Sequence, residues 1–188
     1  MVVTRYLALL RGINVGGKNI IKMEALRAAF EEMGFSSVVT YIQSGNVVFC
    51  TDEKDKKQLT TTIEKRLSQK FGYEAKVLLL SYTEYKKIIE GAPAGFGDEP
   101  DKYRYDAWFL MDGLSAAEVI RDLDFREGID WIHAGKGKNG TAGSAVFTKR
   151  LTSQMGKSRL SKINQLPIYQ SITIRNWNTS RRLLEIMG

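Results

Sequence analysis

The chain has 188 residues, 43% of them hydrophobic and 26% charged, with a formal net charge of +7. That composition supports a true core in one sizeable domain or two small ones, and excludes a disordered or fibrous chain. Unbroken apolar runs such as Tyr6 to Leu10 and Val77 to Leu80 fall far short of the ~20 residues that cross a bilayer, and no cationic start leads into a signal-like apolar segment, so the reading is a cytoplasmic protein with no membrane partner.

In chain order, Arg5 to Arg11 reads as a strand, and the glycine-rich stretch after it leads into a helix whose stripe is Met23, Leu26, Phe30 and Met33, stopped by Gly34. Val38 to Gln43 and Asn46 to Cys50 read as a hairpin closed by Ser44, Gly45 and Asn46. A long helix follows, from about Glu53 to Phe71, with Leu59, Ile63 and Leu67 on one side and Gly72 at its end. Ala75 to Leu80 is the next strand, and Ser81 with Glu84 forms a capping box for a short helix to Glu90. The order β, α, β, β, α, β is the split βαβ unit of ferredoxin-like sandwiches.

Residues 91 to 103 form the linker, opened by the Gly- and Pro-dense run GAPAGFGDEP. Beyond it the order returns: strand Tyr105 to Met111, helix Ser115 to Asp124, strands Ile129 to His133 and Ser144 to Thr148, helix Ser158 to Asn164, strand Gln170 to Arg175 and a last helix, Thr179 to Met187. The turn of the second hairpin is a ten-residue tip, AGKGKNGTAG, expected to be mobile. The expected class is therefore α+β, with two ferredoxin-like (α/β plait) subdomains in tandem. They span 1–90, including the short helix, and 104–188, including the C-terminal helix. Apolar residues of both parities in the first strands predict that each sheet is covered on both faces. The other subdomain, or a second copy of the chain in a homodimer, would supply the cover.

Charge is unevenly placed. Before Lys149 twenty basic and twenty acidic residues cancel; from Lys149 onward eight basic residues face Glu185 alone. At the amino end Arg5, Arg11, Lys18 and Lys22 precede the first acid, Glu24. Such clusters attract phosphates, nucleic acids or anionic surfaces, and equally serve as solvated faces. The lone cysteine, Cys50, excludes an intrachain disulfide and closes the apolar run Val47 to Phe49, which reads as a small buried hydrophobe in a reducing compartment.

Two constellations carry the polar chemistry. In the split βαβ path, the first strand ends at the edge where the next two strands are joined. The loop bearing Arg11, Asn14, Lys18 and Asn19 therefore lies beside Gln43, Ser44 and Asn46, a set of donors suited to a phosphate or carboxylate. Equally, Gly12, Gly16 and Gly17 supply positive φ for a tight turn and the asparagines bond backbone. In TIRNWNTSRR, Arg175, Asn176, Trp177 and Asn178 can clamp an anion or stack on a base; Asn176 or Asn178 reads equally as a helix cap and Trp177 as core. A lone His133 among apolar neighbours reads as structural, no metal site is assembled, no cofactor is called for and no catalytic residue is assigned. Only Phe49 is aromatic on NVVFC, which argues against a single-strand RNA reader of the familiar sheet-face type.

The stretches LLRGINVGGKN, KMEALRAAFEEMGF, TYIQSGNVVF and TIRNWNTSRRL, in this order, resemble the bacterial family called domain of unknown function 1697. The resemblance implies two ferredoxin-like subdomains and a bacterial cytosolic setting, and assigns no activity, substrate or cofactor. The functional expectation is a protein that binds a phosphate-bearing or other anionic ligand, a nucleotide or RNA, through Arg11, Lys18, Asn46 and Arg175. The alternatives are a small-metabolite enzyme that uses arginine to stabilise negative charge, and a protein interaction module.

Overall fold

The computed structural model describes residues 3–111, 113–136 and 142–188; residues 137–141, within the second hairpin's tip, lie outside the described residues. The fold is α+β, with two four-stranded sheets whose strand pairings are all antiparallel. The chain divides into two compact units: residues up to Tyr85 together with Leu183–Gly188, and Lys86–Arg182.

In the first unit β1 (Thr4–Arg11), β2 (Ser36–Tyr41), β3 (Asn46–Thr51) and β4 (Lys76–Ser81) form a sheet in the order β2-β3-β1-β4. Helices α1 (Met23–Glu32) and α2 (Lys56–Phe71) cross between strands. They bury Leu26 and Phe30, and Leu59, Ile63 and Leu67, against Tyr6, Ala8, Leu10 and Phe49 of the sheet. Phe49 lies 5.3 Å from Phe30 and 4.5 Å from Phe35, centre to centre. The opposite parity, Leu7, Leu9, Val48, Leu78 and Leu80, is also buried. α2 starts three residues later than its sequence suggests, because the Asp55 side chain accepts from Gln58 N and fixes the cap there. Cys50 is half-buried rather than enclosed. At the start of α3 (Tyr82–Glu90) the capping box forms, with Ser81 N donating to Glu84 at 2.8 Å. Burial pushes the Glu84 carboxyl up, but bonds from Lys56 and Ser81 outweigh it and hold the group below its ordinary value.

The second unit has β5 (Tyr103–Leu110), α4 (Ala116–Arg121), β6 (Asp130–Lys136), β7 (Ala142–Leu151), β8 (Ile172–Asn176) and the start of α5 (Trp177–Met187), with sheet order β6-β7-β5-β8. The expected helix from Ser158 to Asn164 is absent. Three 3₁₀ turns, Thr152–Lys157, Leu160–Gln165 and Pro167–Ser171, occupy the stretch between β7 and β8. Gly156 and Pro167 flank the segment expected to be helical, and Ser158 Oγ accepts from Ser161 N, a local bond that competes with helix propagation. Leu160 and Ile163 still reach the core beneath Trp108 and Val146, because an i, i+3 pair lies on one side of either kind of helix.

Buried polar groups hold these turns to the sheet. Asp130, 2% exposed, accepts from Arg126 N and Arg159 N, each at 2.9 Å. Arg150 pairs with the fully buried Asp106 and donates to Ser161 Oγ at 3.1 Å. Removing Arg150 leaves the buried carboxylate with only Arg104, whose side chain is half exposed, as a charged partner among the described residues. Arg150→Ala should therefore cost about 3–5 kcal/mol, read as a shift in the urea midpoint; a loss below ~1 kcal/mol, the worth of a solvated pair, would contradict this reading. Alkaline stability gives a second check on the first unit. Burial, with Glu64 nearby, pushes the Tyr73 hydroxyl from 10.0 up to about 12. The folded state thus prefers the neutral phenol: its contribution is whole below pH 10.0 and is lost as pH rises toward about 12. Tyr73→Phe should flatten that part of a pH–stability curve, and an unchanged slope would show that other groups govern it.

Candidate functional site

Between β1 and α1 five residues take left-handed backbone: Gly12, Asn14, Gly16, Gly17 and Asn19, with φ from 48° to 74°. Gly16 and Gly17 are the central pair of a mirror-image turn closed by Lys18 N donating to Val15 O at 3.1 Å, the conformation that twisted hairpins favour. Asn14 joins this loop to the β2–β3 turn. Its amide nitrogen donates to Ile21 O at 3.0 Å and Gln43 O at 2.9 Å, and its carbonyl accepts from Ile21 N at 2.8 Å. Asn19 donates to Gly12 O at 2.8 Å, and the buried Asn46 donates to Tyr41 O and Ser44 Oγ, each at 2.9 Å. Gly45 closes the junction: Leu10 N donates to its carbonyl at 2.8 Å, and a Cβ there would stand 2.8 Å from atoms of Leu10 and Ile13.

The strand end and the hairpin turn thus meet as the path demands, but the asparagines hold the loops together. Lys18, Lys22 and Gln43 reach solvent, and Arg11 is half-buried at the strand's end.

In the second unit Asn176 caps α5. Its side-chain oxygen accepts from Asn178 N at 3.0 Å while its nitrogen donates to Tyr105 O at 3.2 Å. Trp177, 6% exposed, packs edge-on against Phe96 at 5.1 Å and Phe147 at 5.8 Å. Gly97, at φ 102°, lies on the indole: a Cβ there would fall 2.5 Å from Trp177 Cδ1. The indole Nε1 is buried with no hydrogen-bond partner among the described residues. Arg175 is 6% exposed and donates from Nη1 to Thr173 Oγ1 at 2.9 Å and Ile174 O at 2.8 Å, so much of its fork is committed to its own strand.

Beyond Asn176, β8 no longer pairs with β5, and Tyr103 to Tyr105 have no strand on that side. A hollow of about 230 Å³ opens there, lined by Arg104, Thr152, Asn176, Trp177, Asn178 and neighbours. Arg104 reaches back through Nε to Asp106 at 3.2 Å, yet its side chain is 53% exposed, which leaves the outer edge of the guanidinium toward water. Among the described residues no carboxylate lines the hollow, and the first turn of α5 carries no acid. The positive end of the helix dipole therefore faces this space without a resident counter-charge. Asp98 and Glu99 stand in the flanking segment, where Glu99 pairs with Lys102 at 3.3 Å.

Sequence reading named Asn176, Trp177 and Asn178 here but missed Arg104 and Thr152. The signal for Arg104 was the alternation in YRYDAWFL, which sets Arg104 and Asp106 on one side of a strand whose partner ends early. His133, read as structural, is exposed on β6. Among the described residues, no helix is long and apolar enough to cross a membrane.

No curated protein matches the chain. Among solved structures, a conserved bacterial protein, SP0830 from Streptococcus pneumoniae, is 29% identical, with a TM-score of 0.82 and all of both chains covered. An unknown protein from Galdieria sulphuraria is 10% identical with a TM-score of 0.27, covering 93% of this chain and 97% of its own, a likeness too weak to bear on the fold. The model of a family described as protein of unknown function (DUF1697) matches residues 3–138. The chain therefore belongs to the DUF1697 family.

Proposed function

We propose that the protein binds a phosphate-bearing or otherwise anionic ligand, such as a nucleotide or nucleic acid, and that the hollow at the head of α5 is the seat of binding. The observation that carries this reading is the meeting of the Arg104 guanidinium, the Asn178 side-chain amide and an 11-residue helix's N-terminus around a space that no carboxylate lines among the described residues. Charge-assisted and amide donors of this kind suit the oxygens of a phosphate. The first unit has exposed cations of its own in Lys18 and Lys22, which have no carboxylate partner among the described residues. We read both sheets as ferredoxin-like, a reading supported by a strand order in which the first strand of each unit lies between its third and fourth. The second unit departs from that pattern where 3₁₀ turns replace a helix. A cytoplasmic setting fits the unpaired Cys50.

Calorimetric titration with inorganic phosphate, pyrophosphate and adenosine monophosphate at several salt concentrations tests the reading. Arg104→Ala should weaken binding roughly tenfold or more, the worth of a hydrogen bond to a charged group, and Asn178→Ala should weaken it by less. Affinity should also fall as salt rises. Binding that ignores both substitutions but collapses in Lys18→Ala would move the site to the loop of the first unit; absence of binding at low salt would end the proposal.

A further inference from the structure

The side of the second sheet turned away from the 3₁₀ turns carries an unusual row. Trp131 on β6 stands opposite Lys149 on β7, and Lys149 stands opposite Tyr105 on β5. The next row brings His133 opposite Phe147. These residues share one face because side chains alternate along each strand, and the other parity, Trp108, Val146 and Ile132, packs under Leu160 and Ile163.

Between this face and the turn at 93–96 lies a cavity of about 240 Å³, lined by Phe96, Tyr105, Trp131, His133, Phe147 and Lys149 among others. Phe96 meets Tyr105 and Phe147 edge-on, at 4.9 and 5.3 Å. Trp131 is 36% exposed. Lys149 Nζ sits 4.2 Å from the centre of the Tyr103 ring and 4.9 Å from that of Trp131. No carboxylate pairs with Lys149 among the described residues, so two aromatic faces hold its charge in place while leaving it uncompensated.

We propose that this cavity is a stacking site for a nucleobase, with Trp131 and Tyr105 as its walls and Lys149 placed for the adjoining phosphate. The proposal rests on the anion-binding reading above and narrows it to a nucleotide unit, free or within a single strand. Flat aromatic surface beside an unpaired cation is the arrangement by which proteins take up unstacked bases, since every base offers a π face and every link a negative charge. The cavity is smaller than the ~300–1,000 Å³ of sites for drug-sized ligands, which suits one base rather than two. Tyr105 lines both this cavity and the hollow at the head of α5, so the base and phosphate of one unit address adjoining spaces. The opposing charges are Asp98, whose carboxylate lies beside Gly95 at the cavity's rim, and Glu99, whose field reaches the Tyr105 hydroxyl.

Trp131 also supplies the readout, because at 36% it is far more exposed than Trp108 at 1% or Trp177 at 6%; since Trp177 lines the hollow at α5, loss of the quench in Trp131→Phe assigns the signal to Trp131. Adenosine, adenosine monophosphate and a ten-nucleotide oligoadenylate should each quench its emission. Trp131→Ala, followed by calorimetry, should weaken all three by about tenfold or more, and Trp131→Phe should restore much of the loss. Lys149→Gln should weaken the two phosphate-bearing probes and spare adenosine, and Asp98→Asn should tighten the same two. An oligomer that binds far more tightly than the mononucleotide identifies a single strand as the source; equal affinity per unit identifies the free nucleotide. If none of the three probes alters Trp131 emission while inorganic phosphate still binds and responds to Arg104→Ala, the stacking site is overturned and the anion reading stands. If adenosine stacks but no probe responds to Arg104→Ala, the stacking site stands and the phosphate seat at α5 is overturned.

Discussion

Leu7 and Leu9 on one side of β1, and Ala8 and Leu10 on the other, are all withdrawn from water, as are Ala107, Trp108, Phe109 and Leu110 on β5. A central strand buried on both sides has no face to offer along that stretch, and every polar group placed there must find a partner within the protein. Solvent-facing chemistry is consequently confined to strand ends, to edges where a partner strand stops early, and to the outer strands. The hollow at α5 exists because β8 releases β5 at Asp106, and the aromatic cavity exists because Trp131 and His133 stand on β6, an edge strand of the second sheet.

The same constraint explains how the charged core of the second unit is used. Asp106 receives Arg150 from within and Arg104 from the exposed end of β5, so one buried carboxylate orients both a core cation and a surface one. Arg150 reaches on to Ser161, and Asp130 collects two backbone N–H groups from the segments before β6 and before the second 3₁₀ turn. Together these bonds replace the regular ladder of a helix with fixed points. Thr152, at the start of the first such turn, lines the hollow as a result.

Much of the architecture was legible because strand and helix periods differ so plainly: the Leu59, Ile63 and Leu67 stripe admits no other reading, and the apolar residues of both parities around Trp108 mark a strand covered on both faces. The segment from Ser158 to Asn164 was not legible, because Leu160 and Ile163 at i, i+3 satisfy a 3₁₀ turn as well as an α-helix. The polar loop was ambiguous for a deeper reason. Glycine and asparagine are the residues that tolerate left-handed backbone and also the residues that cradle anions, so Asn14 and Asn19 look alike in either role until their bonds are known. Asn176 was foreseen as a cap as readily as a ligand. The aromatic row was missed for want of register: Trp131, Lys149 and Tyr105 are scattered along the chain, and only strand pairing aligns them.

The last helix begins in one compact unit and ends in the other, with Trp177 to Arg182 counted in the second and Leu183 to Gly188 in the first. Arg5 donates to Met187 O at 2.8 Å and to Gly188 O at 3.1 Å, tying the earliest strand to the latest residues. During synthesis, therefore, the amino-terminal half leaves the ribosome long before its final turn of helix does. Its completion waits on translation of everything between, which makes the two halves one unit of biogenesis despite their separate sheets.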